Sequence, residues 1–169
     1  MTAFDAAMKW LLSPDAEGTK YAEPPHIDQP TKYGITLPIL REWAGPETTK
    51  DDLKDLPPEA AGELYKEFFW EPMEGDDLPP GLALVTFDAT VNSGQGHAVR
   101  WLQAAIGVPQ DGVVGPRTIL AAKSAEQGPT ICDILLMREN YLKALPKWQK
   151  YGKGWTNRLT ALKLAAFDA

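Results

Sequence analysis

Apolar residues recur along this 169-residue chain mostly with a helical period. Phe4, Ala7, Met8 and Leu11 follow the i, i+3, i+4, i+7 spacing of one buried helix face; Thr2 can cap that helix and Pro14 ends it. Residues 18 to 36 break the period. There Gly18, Pro24, Pro25, Pro30 and Gly34 stand among short polar and β-prone residues, which predicts turns and a small irregular hairpin. The helical pattern then returns over Leu37 to Trp43, and again from Pro57 through Ala60, Ala61, Leu64, Tyr65 and Phe68 to Trp70.

Residues 71 to 80 are rich in Pro, Gly and acidic side chains and predict a linker. Gly81 to Val91 and Gly96 to Ile106 predict two buried helices separated by Asn92-Ser93-Gly94. After an Asp111-Gly112 turn, further helices are expected near Pro116 to Ala125, over about 130 to 145 from a Pro129 start, and over 154 to 166 after a Gly152/Gly154 break. The fold class is therefore mainly α, with seven or eight helices and a small β-hairpin region, and the early loop forms one wall of a cleft.

Composition narrows the class. The chain is 44% hydrophobic and 24% charged with six Trp, the make-up of a globular domain, and 169 residues suffice for one core. Its single cysteine, Cys132, rules out an internal disulfide and is expected to be a small buried hydrophobe. No apolar run reaches the roughly 18 residues of a membrane span, and the N-terminus lacks a signal-peptide pattern, so synthesis in the cytoplasm without stable membrane insertion is expected. The net charge of −6 argues against nucleic acid as a partner. It is unevenly spread: Arg138 to Lys163 carries seven basic residues and one acidic one, which is either a solvated helix face or a contact for an anionic surface.

Glu17 stands out chemically. It follows the apolar run Trp10-Leu11-Leu12, where partial burial favours the protonated carboxyl that a general acid needs. Taken by itself, an exposed Glu at a helix end is the commoner case. Glu23, His26, Asp28 and Thr31 follow in the hairpin region, from which a Thr or Asp can hold an attacking water. Two histidines this far apart show no zinc-ligand spacing, and neither a phosphate-binding glycine loop nor a nucleophile elbow is present, so no metal and no cofactor are expected.

Longer motifs add to this. Glu17-Gly18, then Pro24, then Thr31-Lys32-Tyr33-Gly34-Ile35-Thr36 resembles the opening of glycoside hydrolase family 108. Phe69-Trp70-Glu71-Pro72, Gly75-Asp76-Asp77-Leu78-Pro79, Phe87 to Gly94, Ala98 to Gln103, Asp111 to Thr118 and Gly152 to Arg158 resemble the rest of that family and its C-terminal peptidoglycan-binding-like region, in order. The resemblance implies a single lysozyme-like domain over 1–169, with an N-terminal catalytic lobe over 1–72 and a helical peptidoglycan-binding-like lobe over 73–169.

It further implies an N-acetylmuramidase of the phage-endolysin kind, a monomer acting on peptidoglycan glycan strands at the cell wall after holin-type or other export. Glu17 takes the place of the catalytic Glu. Two features depart from the family's pattern: Ser13-Pro14-Asp15 lengthens the approach to Glu17, and His26 stands nine positions after it where an Asp is usual. Asp28 or Thr31 is then the expected catalytic partner, with His26, Tyr33, Asn92 and Gln103 as expected substrate contacts. A non-catalytic peptidoglycan-binding protein and a chitin-type glycosidase are the alternatives.

Overall fold

The computed structural model describes residues 1–24 and 29–169. Its architecture is mainly helical with one small two-stranded sheet, as the pattern predicts. Helix α1 (Ala3–Leu11) starts on a capping box: Thr2 Oγ1 accepts from the Asp5 amide at 3.1 Å and the Thr2 amide donates to Asp5 at 2.7 Å. Its buried face is Ala7, Met8, Trp10 and Leu11. Past Pro14 the chain doubles back, and the Glu17 amide donates to the Leu11 carbonyl at 3.0 Å, so Glu17 sits against the end of α1.

Strands β1 (Thr31–Lys32) and β2 (Ile35–Thr36) form an antiparallel hairpin in which Thr31 pairs with Thr36 and Lys32 with Ile35. Tyr33 and Gly34 make its two-residue turn, both with positive φ (56° and 83°), the backbone of a type I′ turn. Helix α2 (Leu37–Ala44) follows directly. Helix α3 (Lys50–Asp55) was not predicted by periodicity: Leu53 is its one buried residue, and a Thr49/Asp52 capping box defines its start. Helix α4 (Pro58–Tyr65) runs on into a π-helical turn, Lys66–Trp70, and the expected linker forms two 3₁₀ turns, Glu71–Met73 and Gly75–Asp77.

Helix α5 (Pro80–Ser93) is the axis of the molecule: every residue from Gly81 to Thr90 is buried. Around it pack α1, α6 (Gln95–Ala105), α8 (Gln127–Ala144) and α9 (Trp148–Phe167), while α7 (Pro116–Ser124) lies beyond α6. A helix covered on all sides loses its amphipathic stripe, so α5 reads as a continuous apolar run.

Three expectations need correction. Helix α8 begins at Gln127, ahead of Pro129, which is tolerated in a first turn whose amides have no helical acceptor. Helix α9 runs straight through Gly152 and Gly154; the chain breaks instead at 145–147. A Cβ at Gly152 would lie 2.7 Å from the Trp148 indole, so this glycine is a seat for a ring and not a helix stop. Cys132 is half-buried rather than buried. Among the described residues no helix is long and apolar enough to cross a membrane.

Candidate active site

An open groove of about 420 Å³ lies between the 14–17 turn, the last turn of α5 and the middle of α9. Glu17, Asn92, Trp155, Asn157 and Arg158 line it, together with Asp15 from the lengthened approach to Glu17. The Glu17 side chain is 23% exposed. One of its oxygens, Oε1, accepts from Arg158 Nη1 at 2.5 Å. The other is turned toward the hairpin: a Cβ at Gly34 would stand 2.9 Å from Oε2 and 2.5 Å from Cγ. Only a glycine lets the Tyr33-Gly34 turn close over this side chain, and its positive φ independently favours glycine.

Beneath Glu17 is a buried charge network. Asp88, in the middle of α5, has no exposed surface, yet it accepts from Arg138 Nη1 at 2.6 Å, Arg158 Nη2 at 2.8 Å and the Trp10 indole at 2.8 Å. Arg158 Nε adds longer contacts of 3.1 and 3.2 Å to the two Asp88 oxygens. Arg138 also donates to Asn92 Oδ1 at 3.1 Å. Two carboxylates and two guanidiniums thus compensate one another across α1, α5, α8, α9 and the 14–17 turn. Buried charges are tolerated only when paired and hydrogen-bonded in this way.

The local electrostatics follow from this packing. Burial alone would push Asp88 up, but the Arg158 and Arg138 guanidiniums outweigh it and hold the carboxyl well below the usual range. Burial likewise works against the charge on Arg158, and Asp88 and Glu17 together reverse the effect, raising it. For Arg138 burial wins and lowers it, although a guanidinium stays charged at any physiological pH. Tyr65 is pushed up by burial first and by the charge of Glu17 next; its hydroxyl donates to the Tyr33 carbonyl at 2.8 Å and anchors the turn that covers Glu17.

Of the residues singled out from sequence, Glu17 and Asn92 line one groove. Thr31 is half-buried on β1 and donates its hydroxyl to the Ile35 carbonyl at 3.0 Å. Tyr33 is 6% exposed, so its ring is packed away while its carbonyl serves Tyr65. Gln103 is 1% exposed and away from the groove: its amide donates to Asp111 at 2.7 Å and to the Val113 carbonyl at 3.0 Å, and accepts from Gly112 at 2.9 Å. Those bonds brace the loop ahead of α7, a structural duty in place of the expected substrate contact. His26 and Asp28 lie outside the described residues.

Asp88, Arg138, Arg158, Trp155 and Asn157 were not picked out by sequence reasoning. Asp88 carried a signal, a lone charge within the apolar run of α5. The arginines carried none, because they were counted with the basic C-terminal stretch. Arg138 and Arg158 are 0% and 8% exposed, so the outer surface of that stretch keeps only its five lysines. No group of acidic, His and Cys side chains among the described residues could hold a metal ion.

Comparison with known proteins agrees with this architecture. Residues 13–94 match the family described as Glycosyl hydrolase 108, and residues 97–160 match the Predicted Peptidoglycan domain. The two matches together place the chain among glycoside hydrolases that act on peptidoglycan. The chain belongs to glycosyl hydrolase family 108. It is similar to the structure of Brucella abortus SagA, with 35% identity over 98% of this chain and 94% of that one and a TM-score of 0.88. No curated protein matches it. Glu17 and Asp88 fall in the first matched segment and Arg138 and Arg158 in the second, so the two segments share one charge network.

Proposed function

We propose that this hydrolase is an N-acetylmuramidase that cuts the β-1,4 bond between N-acetylmuramic acid and N-acetylglucosamine, with Glu17 as the general acid. The observation that carries the reading is the setting of Glu17: a carboxyl facing an open groove, fixed by Arg158 on one oxygen and covered by Gly34 on the other side. Arg158 on Oε1 and the Gly34 turn on the other side hold the carboxyl in one orientation at the groove, where the leaving oxygen is to be protonated. The opposite face of the sugar needs a carboxylate or a held water. Asp28 is proposed for that task, or a water held by Thr31 or His26. Asn92 contacts an N-acetyl group through its amide.

The lytic, endolysin-like setting belongs to the same proposal: a monomer made in the cytoplasm, bacteriolytic and antimicrobial once it reaches the wall. Cytoplasmic expression alone then leaves cells intact, whereas co-expression with a membrane-perforating protein lyses them. The chemistry is tested by the clearing of suspended peptidoglycan by the parent and by Glu17→Gln. Clearing by the parent alone supports the assignment. Equal clearing by both removes Glu17 from the role, and sedimentation of both with the sacculus without clearing favours a binding protein.

A further inference from the structure

The wall of the groove opposite the 14–17 turn carries more than Arg158. Trp155 lines the groove beside Glu17, and its ring is the inner end of an aromatic row along α9. Tyr151 lies 5.8 Å from Trp155 between ring centroids at 37°, and Trp148 lies 6.1 Å from it at 41°. Positions 148, 151 and 155 share one helix face, and at the α-helical rise they span about 10 Å along the axis. All three residues are half-buried rather than enclosed in the core. Gly152 lets Trp148 lie flat against the helix backbone, and Lys150 Nζ stands 4.7 Å over the Tyr151 ring. Two side-chain amides line the same groove as Trp155, Asn157 from α9 and Asn92 from α5.

We infer that Trp155, extended by Tyr151 and Trp148, is a binding platform for consecutive N-acetylhexosamine rings of the glycan, with Asn157 taking an acetamido group. The chemistry of the wall selects that ligand. Aromatic faces carry negative π density that attracts the C–H face of a pyranose, and an amide side chain supplies both the donor and the acceptor an acetamido group needs. The row leads directly to Glu17, so rings seated on it hold the next glycosidic bond at the carboxyl. Binding energy from rings that do not react is what positions the reacting one. The inference rests on the Glu17 groove being the glycan cleft, and it adds which wall grips the polymer.

The test uses the full chain carrying Glu17→Gln, so that ligand survives, and titrates a soluble N-acetylglucosamine trimer by calorimetry. Adding Trp155→Ala is expected to weaken binding about tenfold or more, the scale of losing an aromatic anchor, while Trp155→Phe stays within about threefold. Asn157 is exposed, so Asn157→Ala leaves the fold intact and is expected to weaken binding about threefold or more even if Trp155→Ala proves unstable. Unchanged affinity in both Trp155→Ala and Asn157→Ala overturns the platform, as does failure of the trimer to bind the Glu17→Gln chain. These outcomes are separate from the general-acid assignment: full clearing by Glu17→Gln would end that assignment, and the affinity comparison would still decide the platform.

Discussion

Among the described residues, replacing Asp88 by Ala removes the only carboxylate that Arg138 touches and one of two that Arg158 touches. Arg158 keeps Glu17 at the groove; among the described residues Arg138 keeps only the Asn92 amide, in a site where its side chain is 1% exposed. Breaking a buried pair by deleting one partner costs about 3–5 kcal/mol, because the remaining charge is stranded. With two guanidiniums affected, the loss falls toward the upper end, about 4–5 kcal/mol. Chains of this size lose roughly 2–4 °C per kcal/mol, so the unfolding midpoint should drop by roughly 8–20 °C. Thermal and urea unfolding followed by circular dichroism measure it. A loss below about 1 kcal/mol would refute the idea that the network holds the helices together.

Asp88 also sets an acid limit. Its carboxyl is held below the unfolded value of about 3.9, so its contribution is complete above that pH and is lost as pH falls through the lowered folded value. The parent should therefore lose stability steeply below about pH 4, and Asp88→Asn, already destabilised at neutrality, should show a shallower fall over the same window.

Other substitutions separate positioning from folding. Arg158→Met should lower kcat by about a hundredfold while KM changes little, and Arg158→Lys should recover part of the rate and alter its pH profile; parent-like kinetics for Arg158→Met would show that Glu17 needs no anchor. Gly34→Ala places a methyl against Glu17 in a backbone with positive φ, and should cut clearing activity more than tenfold at a modest stability cost of about 1–3 kcal/mol, measured by turbidity and melting side by side. Gln103→Leu strands the partners of a buried amide and should cost about 1–3 kcal/mol in urea unfolding, yet leave activity at low temperature near that of the parent.

How far the sequence foretold this structure varies with the range of the interactions. Helix α1 and the hairpin are local: a capping residue, a helical apolar spacing and a Tyr-Gly turn are all written within a few positions. Helix α3 was missed because capping and one leucine, not an apolar stripe, define it. In the sequence Gly152 reads as a helix stop, because its role depends on where the Trp148 ring falls.

The site divides in the same way. The placement of Glu17 at the groove was legible from its neighbourhood and from the ordered motifs of the family. The residues that hold it were not: Arg138 and Arg158 lie 50 and 70 positions from Asp88, and long basic side chains are read as surface charge unless a buried acid is known to meet them. Gln103 shows the converse, a polar residue in a functional-looking motif that the fold spends on its own loop.

The most direct measurement is the mass of the fragments released from purified sacculi by the parent and by Glu17→Gln. The expected outcome is muropeptides with new N-acetylmuramic acid reducing ends from the parent and none above background from Glu17→Gln. Fragments ending in N-acetylglucosamine, or the same products from both proteins, would contradict it.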